Sequence, residues 1–306
     1  MIKILTISFS ILLICIKSIA LENKILFKID SEIITTADMN NEANYLKILN
    51  KNMNSLEQNQ IFEITKNSLI RDTIKKNEIL KFIKEIEIEK EIMEKLIKSF
   101  YQNIGLSSKE QFFQVLKEKN LRYSYVENKL SINAVWNQFI YEKFVSKIKI
   151  NKKEIRDNII KEGSFDKKFL LSEIVFDLDK DNNLKKKYNQ IKESINENGF
   201  ENAALRYSIS DSSKNGGKLD WISEVSLNKK FLNEINNLEI GNHTNPMVIP
   251  GGFILIKLND IKKDKKKIDI EKELKKVVKI KTNQQLNTFS NIYLKKILKN
   301  YKIENL

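Results

Sequence analysis

Few residues in this 306-residue chain could support metal binding or nucleophilic catalysis. The one histidine, His243, lies in the polar segment 241–245 and is interpreted as a surface residue. The one cysteine, Cys15, lies inside an apolar run near the N terminus. Zinc sites are built mainly from histidine and cysteine, and thiol catalysis needs a cysteine in the folded protein. The sequence therefore predicts neither a zinc site nor a cysteine nucleophile.

Three alternating carboxylates, Asp177, Asp179 and Asp181, resemble the first ligands of a calcium-binding loop. That loop also needs glycine at its sixth position and glutamate at its twelfth. The sequence has Asn182 and Tyr188 at these positions. The segment is better interpreted as a connection after a strand, and we predict no metal and no cofactor.

The charge of the chain is strongly basic, but lysine supplies almost all of it. Lysine and arginine total 54 against 40 acidic residues, which gives a net charge of +14. The planar guanidinium group of arginine is the preferred reader of bases and phosphates. The arginines are only Arg71, Arg122, Arg156 and Arg206. We therefore predict no nucleic-acid partner and interpret the lysines as a solvated surface, with a mild attraction to acidic lipids or acidic polypeptides left open.

The N terminus has the pattern of a secretory signal peptide. It combines a basic start at Lys3, an apolar run over residues 4–16, and the small-x-small sequence Ser18-Ile19-Ala20. We predict a signal peptide over residues 1–20 with cleavage after Ala20. The apolar run is shorter than the ~20 residues that span a bilayer, so no stable membrane insertion is expected after cleavage. An uncleaved anchor stays an alternative, whereas the large Ile14 before Cys15 disfavours lipid attachment.

Residues 21–164 have the pattern of a helical module with a leading hairpin. Two short β-prone runs, residues 24–29 and 33–34, precede a helix start at Thr35 to Asp38. From residue 56 to 148 there is no proline, and apolar residues recur at helical spacing. Ser107 or Ser108 is predicted to cap a new helix after Gly105. Aromatic residues on a later helix, residues 125–140, are either core or an exposed face that binds another polypeptide.

The composition and pattern of the remaining sequence change twice, near residue 165 and near residue 262. Strand patterns, both prolines and six of the eight glycines fall within residues 165–262, which predicts an antiparallel sheet with surrounding helices. Residues 262–267 are interpreted as a charged linker. Asp269 is predicted to cap a final amphipathic helix, and residues 263–306 are expected to return and pack on the N-terminal helices. The predicted fold class is therefore α+β.

Residues 169–262 resemble the parvulin family of peptidyl-prolyl isomerases over essentially the full length of that domain. The landmarks of the family occur in order, as Leu171-Ser172-Glu173-Ile174-Val175-Phe176, Gly199-Phe200, Ala204-Leu205-Arg206-Tyr207-Ser208, Gly216-Gly217-Lys218-Leu219-Asp220-Trp221, Leu238-Glu239-Ile240-Gly241, Pro246 and Gly252-Phe253-Ile254-Leu255-Ile256-Lys257-Leu258. The leading hairpin, helical module and trailing helix look like the SurA group of outer-membrane-protein chaperones. This resemblance implies a periplasmic protein whose partners are unfolded polypeptides, above all outer-membrane β-barrel chains. A lipid-anchored foldase is a related alternative, which Ile14-Cys15 disfavours.

The resemblance also assigns an apolar proline-binding slot. The family's slot residues correspond to Leu219, Leu227 and Phe231, and all three keep their apolar type. Rotation about an X-Pro bond needs no nucleophile, because an apolar slot and fixed polar groups can favour the twisted amide. A plain core role for the three residues stays an alternative.

The polar half of the family site is largely replaced. The positions of the family's first-strand histidine and of its cysteine or aspartate correspond to Glu173 and Ser210, and those of its threonine and last-strand histidine correspond to Ile249 and Ile254. Glu173 is either a buried carboxylate with a raised pKa that bonds Ser210, or a strand residue facing water. The expectation is a chaperone that docks proline segments with weak or no isomerase activity. Its alternatives are an active isomerase using Glu173 and Ser210, and a structural envelope protein.

Overall fold

The structure is a computed structural model that describes residues 23–162, 165–178, 182–265 and 269–306. The predicted signal peptide, Asp179 and Asp181 lie outside these ranges. The predicted hairpin is present as antiparallel strands β1 (Ile25–Ile29) and β2 (Glu32–Thr35). The last residues add strand β7 (Ile303–Asn305) to the other side of β1. The two ends of the chain therefore share one small sheet, which the sequence patterns did not predict.

Two of the N-terminal helices begin at predicted capping residues. Thr35 and Asp38 form a reciprocal capping box at the start of the first helix, and the Ser108 hydroxyl accepts from the Gln111 amide at the start of the fourth. The helices of this module are α1 (Thr36–Leu49), α2 (Gln58–Ile79), α3 (Lys90–Asn103), α4 (Lys109–Glu118) and α5 (Tyr123–Phe144). None of the helices in the described ranges combines the length and hydropathy that a bilayer crossing requires.

The aromatic residues of the predicted stripe on α5 pack in apolar clusters, whereas Tyr141 on the same helix is 44% exposed. Trp136 is fully buried, and Ile140 is buried beside it in a cluster that also contains Phe27 and Ile74. A second cluster around Tyr45, Phe100 and Phe112 fills the space between α1, α3 and α4. Of the two alternatives for the α5 stripe, the structure therefore shows packing in the core.

The C-terminal helix returns to the N-terminal helices, as predicted. Helix α9 (Ile270–Leu298) begins at Asp269, whose side chain accepts from the Lys272 amide. Its second half packs on α2 and α5, where the Trp136 indole N–H donates to Ser290 Oγ at 2.8 Å. Its first half packs on α6 (Lys152–Glu162) through an apolar cluster that includes Leu274 and Val277.

The middle of the chain forms an antiparallel sheet with helices on it, which confirms the α+β class. Its elements are β3 (Phe165–Phe176), α7 (Leu184–Tyr207), β4 (Lys218–Ser223), α8 (Lys229–Asn236), β5 (Met247–Ile249) and β6 (Gly252–Lys265). The strands lie in the order β4-β3-β6-β5. Alternate residues of β3 and β6 face two different apolar clusters, because side chains alternate across a strand.

The prediction of a charged linker over residues 262–267 is wrong for residues 262–265. Strand β6 continues to Lys265 and pairs with the start of β3, with Lys168 opposite Lys262 and Phe165 opposite Lys265. The start of β3 and the end of β6 connect the domain to the rest of the chain and run side by side. Their backbones therefore pair although the sequence is highly charged. Residues 266–268 lie outside the described ranges.

Candidate functional site

The predicted substrate-binding residues lie together on one face of the sheet. They are the three predicted slot residues and the isoleucines at two polar positions of the family, and all five are called the slot below. Leu219 on β4, Leu227, Phe231 on α8, Ile249 on β5 and Ile254 on β6 all belong to the same apolar cluster. Ile254 is buried, whereas the other four are half-buried. The structure therefore brings together every predicted slot residue and leaves four of them partly accessible to a ligand.

A local cap fixes the entry to helix α8 and hence the position of Phe231. The Asn228 side chain accepts a hydrogen bond from the Phe231 amide at 2.9 Å. This contact satisfies one of the amide groups that a helix start leaves without a helical partner. Phe231 thus lies in the first turn of the helix, four residues after Leu227.

Glu173 lies on the same face of the sheet as the slot. It is on β3, between Leu171 and Val175, and these neighbours two residues away belong to the slot cluster. The Ser210 hydroxyl donates to Glu173 Oε1 at 2.7 Å, as one of the two alternatives for Glu173 predicted. The Ser212 hydroxyl donates to the same oxygen at 2.8 Å. Ser212 was not predicted from the sequence. It lies in a short 3-10 helix, Asp211–Asn215, that begins directly after Ser210, and no local signal indicates its contact with Glu173.

Burial controls the ionisation of Glu173. Burial raises the pKa of the Glu173 carboxyl above its ordinary value, and the hydrogen bonds from Ser210 and Ser212 offset only part of this rise. The carboxyl therefore keeps its proton to higher pH than a glutamate in water. A protonated carboxyl is a hydrogen-bond donor as well as an acceptor, which a carboxylate is not.

Replacement of Glu173 by glutamine is expected to stabilise the protein increasingly as pH rises. Because the folded-state pKa is raised, ionisation of Glu173 removes stability as pH passes through that value, and glutamine cannot ionise. Each unit of raised pKa corresponds to about 1.4 kcal/mol. Urea unfolding at several pH values measures the difference between the variant and the wild type. A difference that stays constant from pH 4 to pH 8 would contradict a raised pKa.

The segment that carries the serines also contacts the helical module. Asp211, between Ser210 and Ser212, accepts from Lys75 Nζ of α2 at 2.6 Å. Arg71 of α2 donates from Nη1 to the Ser208 carbonyl at 2.9 Å. The same short segment thus bonds Glu173 on one side and helix α2 on the other.

A cluster of buried charges lies behind this contact. Asp72 of α2 accepts from Lys129 of α5 at 2.5 Å and from Lys214 at 2.6 and 2.9 Å. Lys129 also pairs with the buried Glu42 of α1, which accepts from the Tyr125 hydroxyl at 2.6 Å. Sequence reasoning did not single out these charges. For Asp72 the available signal was its place among the apolar residues of α2, because a charge on the buried face of a helix needs partners.

The cluster sets the ionisation of its members. Burial by itself raises the pKa of Asp72, but the charges of Lys129, Lys214 and Lys75 hold it well below its ordinary value. Burial lowers the pKa of Lys129 by itself, and Asp72 and Glu42 raise it above its ordinary value. Burial lowers the pKa of Lys214. The oppositely charged partners keep Asp72 and Lys129 in their charged forms.

His243 and possible metal ligands take no part in this site. His243 is half-buried, not on the surface as predicted, because its ring lies 6.1 Å from that of Phe200 and its Nδ1 lies 2.8 Å from the Thr244 carbonyl oxygen. Over the described residues, histidine, cysteine and acidic side chains form no group of three that could hold a metal ion.

Comparison with known proteins gives one clear family match. Residues 169–260 match the family model described as the PPIC-type PPIASE domain, a rotamase. Over 73 residues the chain is 33% identical to the chaperone SurA of Pseudomonas aeruginosa, covering 24% of this chain and 17% of that protein. The chaperone SurA of Pseudomonas fluorescens is 34% identical over 73 residues, covering 24% and 16%. The chain thus matches less than a fifth of the length of these curated relatives.

Solved structures give weaker likenesses over more of the chain. One from a study of the SurA-like chaperones PEB4 and Cj1289 of Campylobacter jejuni is 17% identical, covers 93% of this chain and 99% of that chain, and has a TM-score of 0.32. The peptidylprolyl isomerase PrsA from Bacillus anthracis is 20% identical, covers 76% and 94%, and has a TM-score of 0.31. Scores of this size carry no functional argument. The match over residues 169–260 does carry one: the chain contains a PPIC-type domain of the parvulin family of peptidyl-prolyl isomerases, and a 73-residue part of the chain is similar to the SurA chaperones.

Proposed function

We propose that this protein is a periplasmic chaperone that binds unfolded outer-membrane protein chains. Residues 165–262 dock proline-containing segments with weak or no isomerase activity, and residues 21–164 and 263–306 hold the rest of the client. Export follows from the predicted signal peptide, residues 1–20. The observation that carries the proposal is the slot: its five apolar residues share one face, while the polar groups beside it are a glutamate and two serines.

The arrangement supports docking better than catalysis. A proline ring gains from burial in an apolar slot whichever isomer it adopts, and uniform binding of this kind does not accelerate rotation. Acceleration needs polar groups aimed at the twisted amide. Ile254 and Ile249, at two polar positions of the family, are apolar and can donate nothing.

The helical module offers an apolar surface for unfolded chains. Phe82 is 61% exposed in the connection between α2 and α3, and its ring lies 5.1 Å from that of Phe139. Leu80, Ile83 and Ile92 are exposed in the same stretch of sequence. This exposure is the reason to propose a binding surface here, because exposed apolar patches are typical of binding surfaces.

The holding activity can be tested by light scattering of an unfolded β-barrel client. The mature chain, residues 21–306, is expected to suppress client aggregation at equimolar concentration. Phe82→Ser is expected to weaken suppression because it removes the most exposed aromatic ring of the proposed surface. Phe113→Ser is the matched control, since Phe113 is also exposed, at 44%, but lies on α4. Absence of suppression by the wild type would refute the holding function.

An active isomerase is the second candidate, because Ser210 and Glu173 are hydrogen-bonded on the slot face. NMR-detected isomerisation of an X-Pro peptide distinguishes the two. The docking function predicts an isomerisation rate at or slightly above that of buffer for the mature chain and for Glu173→Ala, with peptide binding lost in Phe231→Ala and kept in Glu173→Ala. Turnover that falls in both variants would establish the isomerase instead.

A further inference from the structure

A polar cavity lies beside the slot, between the sheet domain and the helices that follow and precede it. Its volume is about 410 Å³, and it is lined by the start of α6, the start of α8 and the middle of α9. Leu227 lines the cavity and also packs in the slot cluster. The slot and the cavity are therefore neighbours that share a side chain.

The charges around the cavity are mostly positive. Lys149, Lys229 and Lys281 line it, against Glu154 as the acidic residue of the lining. One oxygen of Glu154 already accepts from the Asn151 side chain at 3.2 Å. The lining thus has more cationic groups than it can pair within itself, which favours an anionic occupant.

Lys281 is the cation best placed to bind such an occupant. It is half-buried on α9, and its Nζ donates to the Ser226 carbonyl at 3.0 Å. An ammonium group has three N–H donors, so this bond leaves others for a ligand. Burial lowers the pKa of Lys281, and the charge of Glu154 raises it only in part. Burial removes part of the hydration that stabilises the charged amine, and a carboxylate ligand would stabilise that charge in its place.

The rim of the cavity is held in place before any ligand binds. The Gln285 side chain accepts from the Lys149 amide at 3.0 Å and donates to the Lys149 carbonyl at 2.8 Å. These two bonds join α9 to the residues before α6. A pre-formed polar site loses less conformational entropy when it takes up a ligand.

We propose that this cavity binds an acidic side chain of the client segment whose proline occupies the slot, an inference that rests on the proposed docking function. The Lys281 amine bonds the carbonyl of Ser226, which is next to Leu227 in the chain. Consecutive Cα atoms are about 3.8 Å apart, and an extended chain advances about 3.3–3.6 Å per residue. The acidic residue therefore lies within about three residues of the proline. The preferred substrate class is a proline-containing segment with a nearby aspartate or glutamate.

Fluorescence polarisation with four labelled peptides tests the cavity. Three contain a single proline and differ only in one residue three positions away, which is Glu, Gln or Lys. The fourth keeps Glu and replaces the proline by alanine. A charge-assisted hydrogen bond predicts about tenfold tighter binding of the Glu peptide than of the Gln peptide. The ratio is expected to fall to about one in Lys281→Met, since methionine keeps the length without the charge.

Two further variants separate a site from general charge attraction. Lys279→Met removes an exposed lysine two residues away on α9 that does not line the cavity, and it is expected to keep the preference. Lys281→Arg keeps the positive charge and is expected to keep most of the preference for the Glu peptide. Equal binding of the Glu and Gln proline peptides by the wild type would overturn the inference, as would an unchanged ratio in Lys281→Met.

The same peptides distinguish the two levels of the proposal. Binding of the Gln and Glu proline peptides with equal affinity would leave the docking function standing without the cavity. Binding of both Glu peptides alike, with no binding of the Gln peptide, would leave the cavity standing without a proline slot. No binding of any peptide would overturn both.

Discussion

Replacement of Asp72 by asparagine is expected to lower the free energy of unfolding by about 3–5 kcal/mol, the loss usual for removal of one partner from a buried ion pair. Asp72 accepts from both Lys129 and Lys214, which are buried with it. Asparagine keeps the size of the side chain but leaves Lys214 in the interior without its carboxylate. Urea unfolding of the mature chain, followed by circular dichroism, measures the change.

The effect of Asp72→Asn should depend on pH in a defined direction. The pKa of Asp72 is held well below its ordinary value. Its stabilising effect is therefore fully present at any pH above about 3.9, the pKa of a free aspartate, and is lost as pH falls below that value. The difference from the wild type is thus largest near neutral pH. Glu63→Gln, an exposed carboxylate on the same helix, is the control and is expected to change stability by less than about 0.5 kcal/mol. Equal losses in both variants would show that the cluster has no special role.

Replacement of Gly217 by alanine is expected to lower the free energy of unfolding by about 2–5 kcal/mol and to disrupt the site. Gly217 has a φ of +74°, which costs about 1–2 kcal/mol for a residue with a Cβ. A Cβ there would lie 2.1 Å from the carbonyl oxygen of Glu173, and overpacking of this kind adds about 1–3 kcal/mol. The contact is close because Glu173 N donates to the Gly217 carbonyl at 2.8 Å.

Gly241→Ala separates the two causes. Gly241 has a φ of +96°, but a Cβ there meets no atom within 4 Å. It should therefore lose only the backbone part, about 1–2 kcal/mol. Proline-peptide affinity should fall in Gly217→Ala and stay unchanged in Gly241→Ala. Gly217 lies in the turn directly before β4, the strand that carries the slot residue Leu219. Losses of equal size would mean that the contact with Glu173 relaxes freely.

Both predictions concern one structural connection between the helical module and the sheet domain. The segment from Ser210 to Ser212 bonds Glu173 through its serines and Lys75 through Asp211. Movement of the sheet domain away from α2 would have to break buried ionic contacts as well as apolar ones. The polar half of the proline site is therefore held in place partly by a helix that lies outside the domain.

Local signals in the sequence were sufficient for much of the architecture. The capping residues Thr35, Ser108 and Asp269 begin helices where predicted, because a helix start requires side-chain acceptors within a few residues. The apolar stripe after Asp269 predicted a helix that had to be buried, and α9 packs on α2 and α5. The order of parvulin landmarks likewise predicted the sheet domain and the cluster of slot residues.

Tertiary structure alone decided the contacts between residues distant in sequence. Nothing near Ser212 indicates its bond to Glu173, 39 residues away, and Asp72 and Lys214 meet across 142 residues. The extension of β6 to Lys265 and the pairing of β7 with β1 depend on which strand lies alongside. Periodicity and capping report how a segment presents its own faces, whereas the partner of a buried charge or a strand edge is set by how the whole chain packs.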